Sequence, residues 1–205
     1  MGMTDFEVAE KYTSVISDLL NELPVGSKVA WLGQKHPRMA QDKFLYDSIM
    51  SGVNNDLNHH FYDLNNEQSE NSFKWDVHSA WDVKGYDLVL GLRILYLCDS
   101  RELLINNLKN ITSTNERIIF DFMTGNPVFM NGKETFIKKN NSQTILPFFP
   151  EWYEGDFSVQ SNHSDQIVLS KDLTKSGINM QNVLTFRDTV KRRFYTICEF
   201  SSDRD

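Results

Sequence analysis

The sequence is poor in the residues that build scaffolds from outside the core: two cysteines, five prolines and ten glycines in 205 residues. Cys98 and Cys198 each sit inside an apolar run, with no CxxC partner and no Cys or His neighbour at ligand spacing. That excludes a disulfide framework and a zinc site, and it leaves two small buried hydrophobes suited to a reducing compartment. No stretch reaches the roughly 20 apolar residues that span a bilayer, and the opening MGMTDFEVAEKY has no apolar signal core. The expectation is a soluble, cytoplasmic protein with no membrane partner. Basic charge is also scarce. The formal net charge is −7, which argues against bulk nucleic acid as a partner, and Lys191-Arg192-Arg193 reads as a solvated turn. Gly-x-Ser-x-Gly and Walker patterns are missing, which removes the common hydrolase and P-loop readings. The five histidines form no constellation. His59 and His60 are adjacent, so in a strand they point to opposite faces and cannot share a metal; no metal site is expected.

What the chain does have is 40% hydrophobic residues in alternating strand-like and helix-like patterns. A chain of this length buries roughly 70% of its unfolded surface and needs no further staple, so residues 1–205 read as one domain. Thr4-Asp5-Phe6-Glu7 forms a capping box ahead of Val8, Tyr12, Val15, Ile16, Leu19, Leu20 and Leu23 at helical spacing, and Pro24 and Gly26 close this N-terminal helix within residues 1–26. Lys28 to Leu32 reads as a strand ending at Gly33. A helix follows from about Pro37 to Met50, then a strand from His59 to Tyr62 ending at Asp63. Phe73, Trp75 and Val77 alternate with polar residues as a short or edge strand would. Asp87 to Leu92 is an uninterrupted apolar run that fits a central parallel strand. Ser100 to Ile111 is a helix and Arg117 to Phe122 a strand. Residues 128–160 lack periodicity and read as a substrate-side loop or lid. Asp165 to Ser176 reads as a helix stopped by Gly177, and Val183–Phe186 with Phe194–Cys198 as an antiparallel hairpin. Strand–helix alternation implies an α/β, doubly wound, mostly parallel sheet, with the closing hairpin adding an antiparallel edge. Ligands of such sheets bind at the carboxyl ends of the strands.

This order resembles the class I S-adenosylmethionine (SAM)-dependent methyltransferases, a Rossmann-like fold, over roughly residues 5–200. The best single match is Gly85-Tyr86-Asp87-Leu88-Val89-Leu90-Gly91-Leu92-Arg93-Ile94-Leu95-Tyr96-Leu97, which looks like the family's fourth strand and the turn after it. Arg117 to Phe122 looks like its fifth strand, and Leu173 to Ile178 like its late helix and following glycine. The resemblance implies SAM as cofactor and places Gly33 at the family's first glycine. It implies Asp63 at the ribose hydroxyls, Asp76 and Val77 at the adenine, and Leu92 and Arg93 beside the methyl donor. Each position also has a plainer reading: an ordinary turn for Gly33, a helix cap or loop residue for Asp63, and a surface ion pair for Arg93. Asp82 rivals Asp76 for its place. The chain departs from the pattern where Trp31 stands in place of the usual acidic residue and Gln34-Lys35-His36-Pro37 supplies no further glycine. A shifted SAM pose, another ligand or a dead site would each account for that.

Methyl transfer from a sulfonium needs positioning and exclusion of water more than a strong base. Tyr96, Asp121 and Tyr153 are the substrate-side candidates, since they fall near strand ends or in the aromatic stretch Ile145 to Phe157. That stretch suits a lid, a substrate wall or a packed loop. The expected activity is methyl transfer to a small molecule or a protein side chain. The alternative is an inactive methyltransferase-like binding or scaffold protein. If Trp31 turns onto the face it shares with Val29, away from Ala30 and Leu32, a weakened SAM site survives.

Overall fold

The computed structural model describes residues 5–35, 44–92, 94, 98, 100–124, 173, 175–188 and 193–202. They form helix α1 (Asp5–Asn21), strand β1 (Lys28–Leu32), helix α2 (Phe44–Met50), strands β2 (Asn58–Asp63), β3 (Ser72–Lys74) and β4 (Leu88–Gly91), helix α3 (Arg101–Thr114), and strands β5 (Arg117–Thr124), β6 (Ile178–Asp188) and β7 (Arg193–Ser202). The strands make one sheet in the order β3-β2-β1-β4-β5-β7-β6. From β3 to β5 every pairing is parallel. β7 is antiparallel to both β5 and β6, so β6 runs the same way as the first five.

The hairpin is where the sequence puts it, but its reversed strand is not the edge. β7 slots between β5 and β6, and β6 takes the outside. Arg117 helps hold that insertion. Its guanidinium donates from Nε to Glu199 Oε1 on β7 (3.0 Å) and from Nη1 to Glu22 beyond α1 (3.1 Å). The Phe73–Val77 alternation yields a shorter strand than expected. Only Ser72–Lys74 pair with β2, because Trp75 turns into the core and Asp76 to Ser79 form a turn.

Strand alternation sorts the core into two layers. Val29, Trp31, Phe61, Leu88, Leu90 and Ile119 face α1 and α2, where they meet Tyr12, Ile16, Leu20 and Ile49. Ala30, Leu32, Tyr62, Val89, Ile118 and Phe120 face the other way, against Leu104, Leu108 and Ile111 of α3 and against Trp81. Buried on both faces, β4 has four consecutive buried residues, as a central parallel strand must. Gly91 at its end is required by packing: a Cβ there would overlap the Phe120 ring.

α3 is capped as its sequence dictates. Ser100 accepts from the Leu103 N–H (3.2 Å). At the other end, Asn115 accepts from the Tyr86 N–H (3.0 Å) and donates to the Val83 carbonyl (2.8 Å). One side chain thus fastens the segment entering β4 to the end of α3. The predicted helix start near Pro37 and most of the Asp165–Ser176 helix lie outside the described residues. Among the described residues no helix is long and apolar enough to cross a membrane.

Candidate functional site

Because β1 to β5 are parallel, their carboxyl ends share one edge of the sheet. Gly33 follows β1 with φ +72°, a left-handed conformation that favours glycine. Its N–H donates to the Tyr62 carbonyl (2.7 Å), which sets the turn beside Asp63, the last residue of β2. A Cβ on Gly33 would overlap the Ile94 side chain. The glycine is therefore demanded by contact with the chain's own turn after β4, a reason that needs no ligand.

Asp63 is half-buried. Its Oδ1 accepts from the backbone N–H (2.9 Å) and the side-chain amide (3.3 Å) of Asn65, and its carbonyl accepts from the Trp75 N–H (3.1 Å). Trp75 is buried, and its indole Nε1 has no hydrogen-bond partner. A buried N–H without an acceptor costs about 1–3 kcal/mol, and this one belongs to the residue that directly follows β3. Asp76 and Val77 follow β3 in the turn. Asp76 Oδ1 accepts from the His78 N–H (2.9 Å), and the Val77 carbonyl accepts from Trp81 Nε1 (3.1 Å). The rival Asp82 is exposed and paired with Lys84 (3.2 Å). Leu92 is half-buried in the turn after β4. Gly33, Asp63, Asp76, Val77 and Leu92 are thus brought to one edge. Arg93, Tyr96, Tyr153 and the rest of the 128–160 segment lie outside the described residues.

Asp121 stands apart from the other candidates. It is 4% exposed on β5, and its Oδ2 accepts from the Tyr12 hydroxyl of α1 (2.8 Å). Cys198, buried on β7, has its thiol pushed up to about 12 by burial and by the Asp121 charge, so it supplies no thiolate near neutral pH.

Trp31 is 3% exposed and packs on the α2 face. Tyr46 meets it edge-on at 5.2 Å between ring centres, and its Nε1 donates to His59 Nδ1 (2.9 Å). The indole is out of the space above Gly33, the outcome that strand alternation permits. His59 accepts at Nδ1 and so carries its proton at Nε2. Burial holds its pKa down to about 4, against the pull of Asp56.

Sequence reasoning missed a chain on the opposite face. The Tyr86 hydroxyl lies 2.7 Å from His60 Nδ1 and 2.7 Å from the Tyr62 hydroxyl. It reaches them from the far side of β1, where the register puts Ala30 between His60 and Val89. Only a small residue at 30 leaves room for a phenol to cross. The signal was available as Ala30 alone among larger strand residues, but its meaning depends on which strands flank β1.

The class of protein defined by this sheet order and carboxyl-edge arrangement is a Rossmann-like α/β protein. Solved structures agree with that. The CMeT domain of citrinin polyketide synthase superposes with a TM-score of 0.56 at 10% identity, over 97% of this chain and 53% of that one. The CurJ carbon methyltransferase gives 0.53 at 11% identity, over 96% and 58%. LepI in complex with SAM gives 0.51 at 12% identity, over 98% and 53%. At such identities the likeness is one of fold, and the chain spans about half the length of these structures. No family model matches the sequence, and no curated protein is significantly similar to it.

Proposed function

We propose that this protein binds SAM at the carboxyl edge of β1, β2 and β4 and transfers its methyl group to a small molecule or a protein side chain. The observation that carries the reading is the gathering of Gly33, Asp63, Asp76, Val77 and Leu92 at the carboxyl edge of the parallel strands. A half-buried carboxylate at the carboxyl end of a strand fits a ligand rich in hydroxyls. Asp63 would hold the ribose through Oδ2, since Oδ1 is engaged by Asn65. Asp76, Val77 and Leu92 would line the nucleoside, and Arg93 would meet the carboxylate end. When bound, SAM supplies a methyl group already activated on sulfur. The chain's own residues then orient the acceptor and exclude water, with Tyr96 and Tyr153 proposed at the acceptor. Asp121, engaged by Tyr12, orients β5 against α1.

A second reading, a methyltransferase-like scaffold without catalysis, draws on one observation: Ile94 fills the space over Gly33. Calorimetric titration with SAM and with its demethylated product S-adenosylhomocysteine separates the two. Micromolar binding that weakens about tenfold or more in Asp63→Ala, the equivalent of roughly 1–3 kcal/mol, supports the enzyme. No heat and no thermal shift at millimolar SAM supports the scaffold.

A further inference from the structure

The chain His60–Tyr86–Tyr62 has a direction, and the direction follows from the number of protons. Three groups share two contacts, and the Tyr86 hydroxyl has one proton for both. With His60 neutral and protonated at Nε2, Tyr62 donates to Tyr86 and Tyr86 donates to His60 Nδ1, so every group in the chain is satisfied. If His60 takes a second proton, Nδ1 becomes a donor. Tyr86 can then no longer donate to it, and one hydroxyl proton of the Tyr86–Tyr62 pair is left without an acceptor among their described contacts. A buried donor in that state destabilises its surroundings.

What Tyr62 supports gives the chain its consequence. Its carbonyl accepts the Gly33 N–H, and the next residue is Asp63. Its ring stacks on Phe73 of β3 at 4.7 Å. Tyr86 itself is immobilised, its N–H on Asn115 and its carbonyl on the Glu116 N–H (3.1 Å). A fixed hydroxyl therefore grips the end of β2 that carries both the Gly33 turn and Asp63.

We propose that Tyr86 is a positioning residue for the carboxyl-edge site, acting through Tyr62, and that its grip requires a neutral His60, so that ligand affinity at the site falls on acidification. This rests on the binding reading above. The charged and titratable groups around the chain are Lys28 on β1, Glu70 ahead of β3, Asp82 ahead of β4, and His59 on the other face of β2. Burial first and then Lys28 oppose protonation of His60, and Glu70 favours it. The response therefore lies on the acid side of the ordinary histidine value.

The test is S-adenosylhomocysteine titration of the full chain at about pH 7.5 and about pH 5, the lower value set well below the ordinary histidine pKa because that of His60 is lowered, with Tyr86→Phe and His60→Asn. The Asn side chain keeps an acceptor near the Nδ1 position and cannot take up a proton. Wild type is expected to bind several-fold more weakly at the lower pH. Tyr86→Phe should bind several-fold more weakly at the higher pH, with a flattened pH profile. His60→Asn should bind normally at the higher pH and lose the acid response. Wild-type pH dependence retained in Tyr86→Phe or in His60→Asn overturns the proposal, as does nitrogen NMR showing His60 protonated at Nδ1 at neutral pH. Absence of binding in wild type at both pH values defeats the site reading and the positioning role together. In that case thermal unfolding of the same three proteins decides the chain alone: an acid-induced loss that His60→Asn does not reduce overturns it.

Discussion

His59 and His60 are neighbours of identical type on one strand, and the two faces of that strand give them different chemistry. His59 lies in an aromatic layer under α2, accepting from Trp31 and flanked by Tyr46 and Phe61. His60 lies in a hydroxyl layer, joined to Tyr86 and through it to Tyr62. Both partners donate to Nδ1 when the imidazole is neutral, so both rings carry their proton at Nε2. The difference is in what each bond holds. Trp31 is a large apolar body that fills the core and happens to need an acceptor. Tyr86 is a polar tip inserted over Ala30 to reach the ligand end of β2. Where a buried ring is mostly apolar its loss is a loss of packing, and where its contribution is a hydroxyl the loss is one of connection.

The largest effect expected from breaking this comparison is on the Trp31 side. Trp31→Ala removes a side chain 3% exposed, and a cavity of that size costs about 3–5 kcal/mol. Tyr86→Phe removes one oxygen from the other layer and keeps the ring, for about 1 kcal/mol. Urea unfolding of both variants checks the order. A Tyr86→Phe cost as large as that of Trp31→Ala would mean that the hydroxyl chain carries the stability of the sheet.

Next in size is the response to acid. His59 has a folded pKa of about 4 against 6.5 for the ordinary group, and that of His60 is also lowered. A histidine whose folded pKa is depressed binds its proton more readily in the unfolded chain. Its contribution is therefore complete above about pH 6.5 and is lost as pH falls toward the folded value. For His59 the slope is about 1.4 kcal/mol per pH unit, or about 2 kcal/mol between pH 6.5 and 5, before the carboxylates complicate the curve. Chemical unfolding across that window, repeated in His59→Asn and His60→Asn, apportions the slope. The larger share is expected to vanish in His59→Asn, because burial, the largest cause of its shift, brings it to about 4 in spite of Asp56. An equal or larger share in His60→Asn would place the stronger desolvation on the hydroxyl face.

These two layers were only half legible in the sequence. Lys28–Leu32 and the buried run at Leu88 could be read as strands because runs of apolar residues are local facts, and the sorting of Val29 and Trp31 from Ala30 and Leu32 follows from the twofold period. The insertion of β7 between β5 and β6 could not be read, because it depends on a ladder between strands distant in the chain, which starts with Ile118 opposite Phe200. Asp121 looked like a strand-end carboxylate available to a substrate, and what engages it is Tyr12, 109 residues earlier. The Tyr86 chain was hidden for the same reason: nothing local says that β1 will lie between β2 and β4 with its smallest residue at the crossing point.

The smallest expected effect sharpens the comparison from outside. Asp82 is exposed and paired with an exposed Lys84, a kind of contact worth little in water. Burial and the Tyr86 bond hold the Tyr62 phenol well above its ordinary pKa, and the Asp82 charge adds the smallest share. Asp82→Asn removes the charge and keeps the shape. Near neutral pH Tyr62 is protonated whether the chain is folded or unfolded, so changing its pKa changes no proton count and contributes nothing to stability. The expected change in unfolding free energy is therefore within about 0.5 kcal/mol, with the His59 ring signals unmoved because they belong to the other face. A shift confined to the Tyr62 and His60 signals, without loss of stability, would confirm that the layers respond separately. A loss above about 1 kcal/mol would mean that Asp82 holds the loop ahead of β4 in place, and that Tyr86 owes its position to that loop as well as to Asn115.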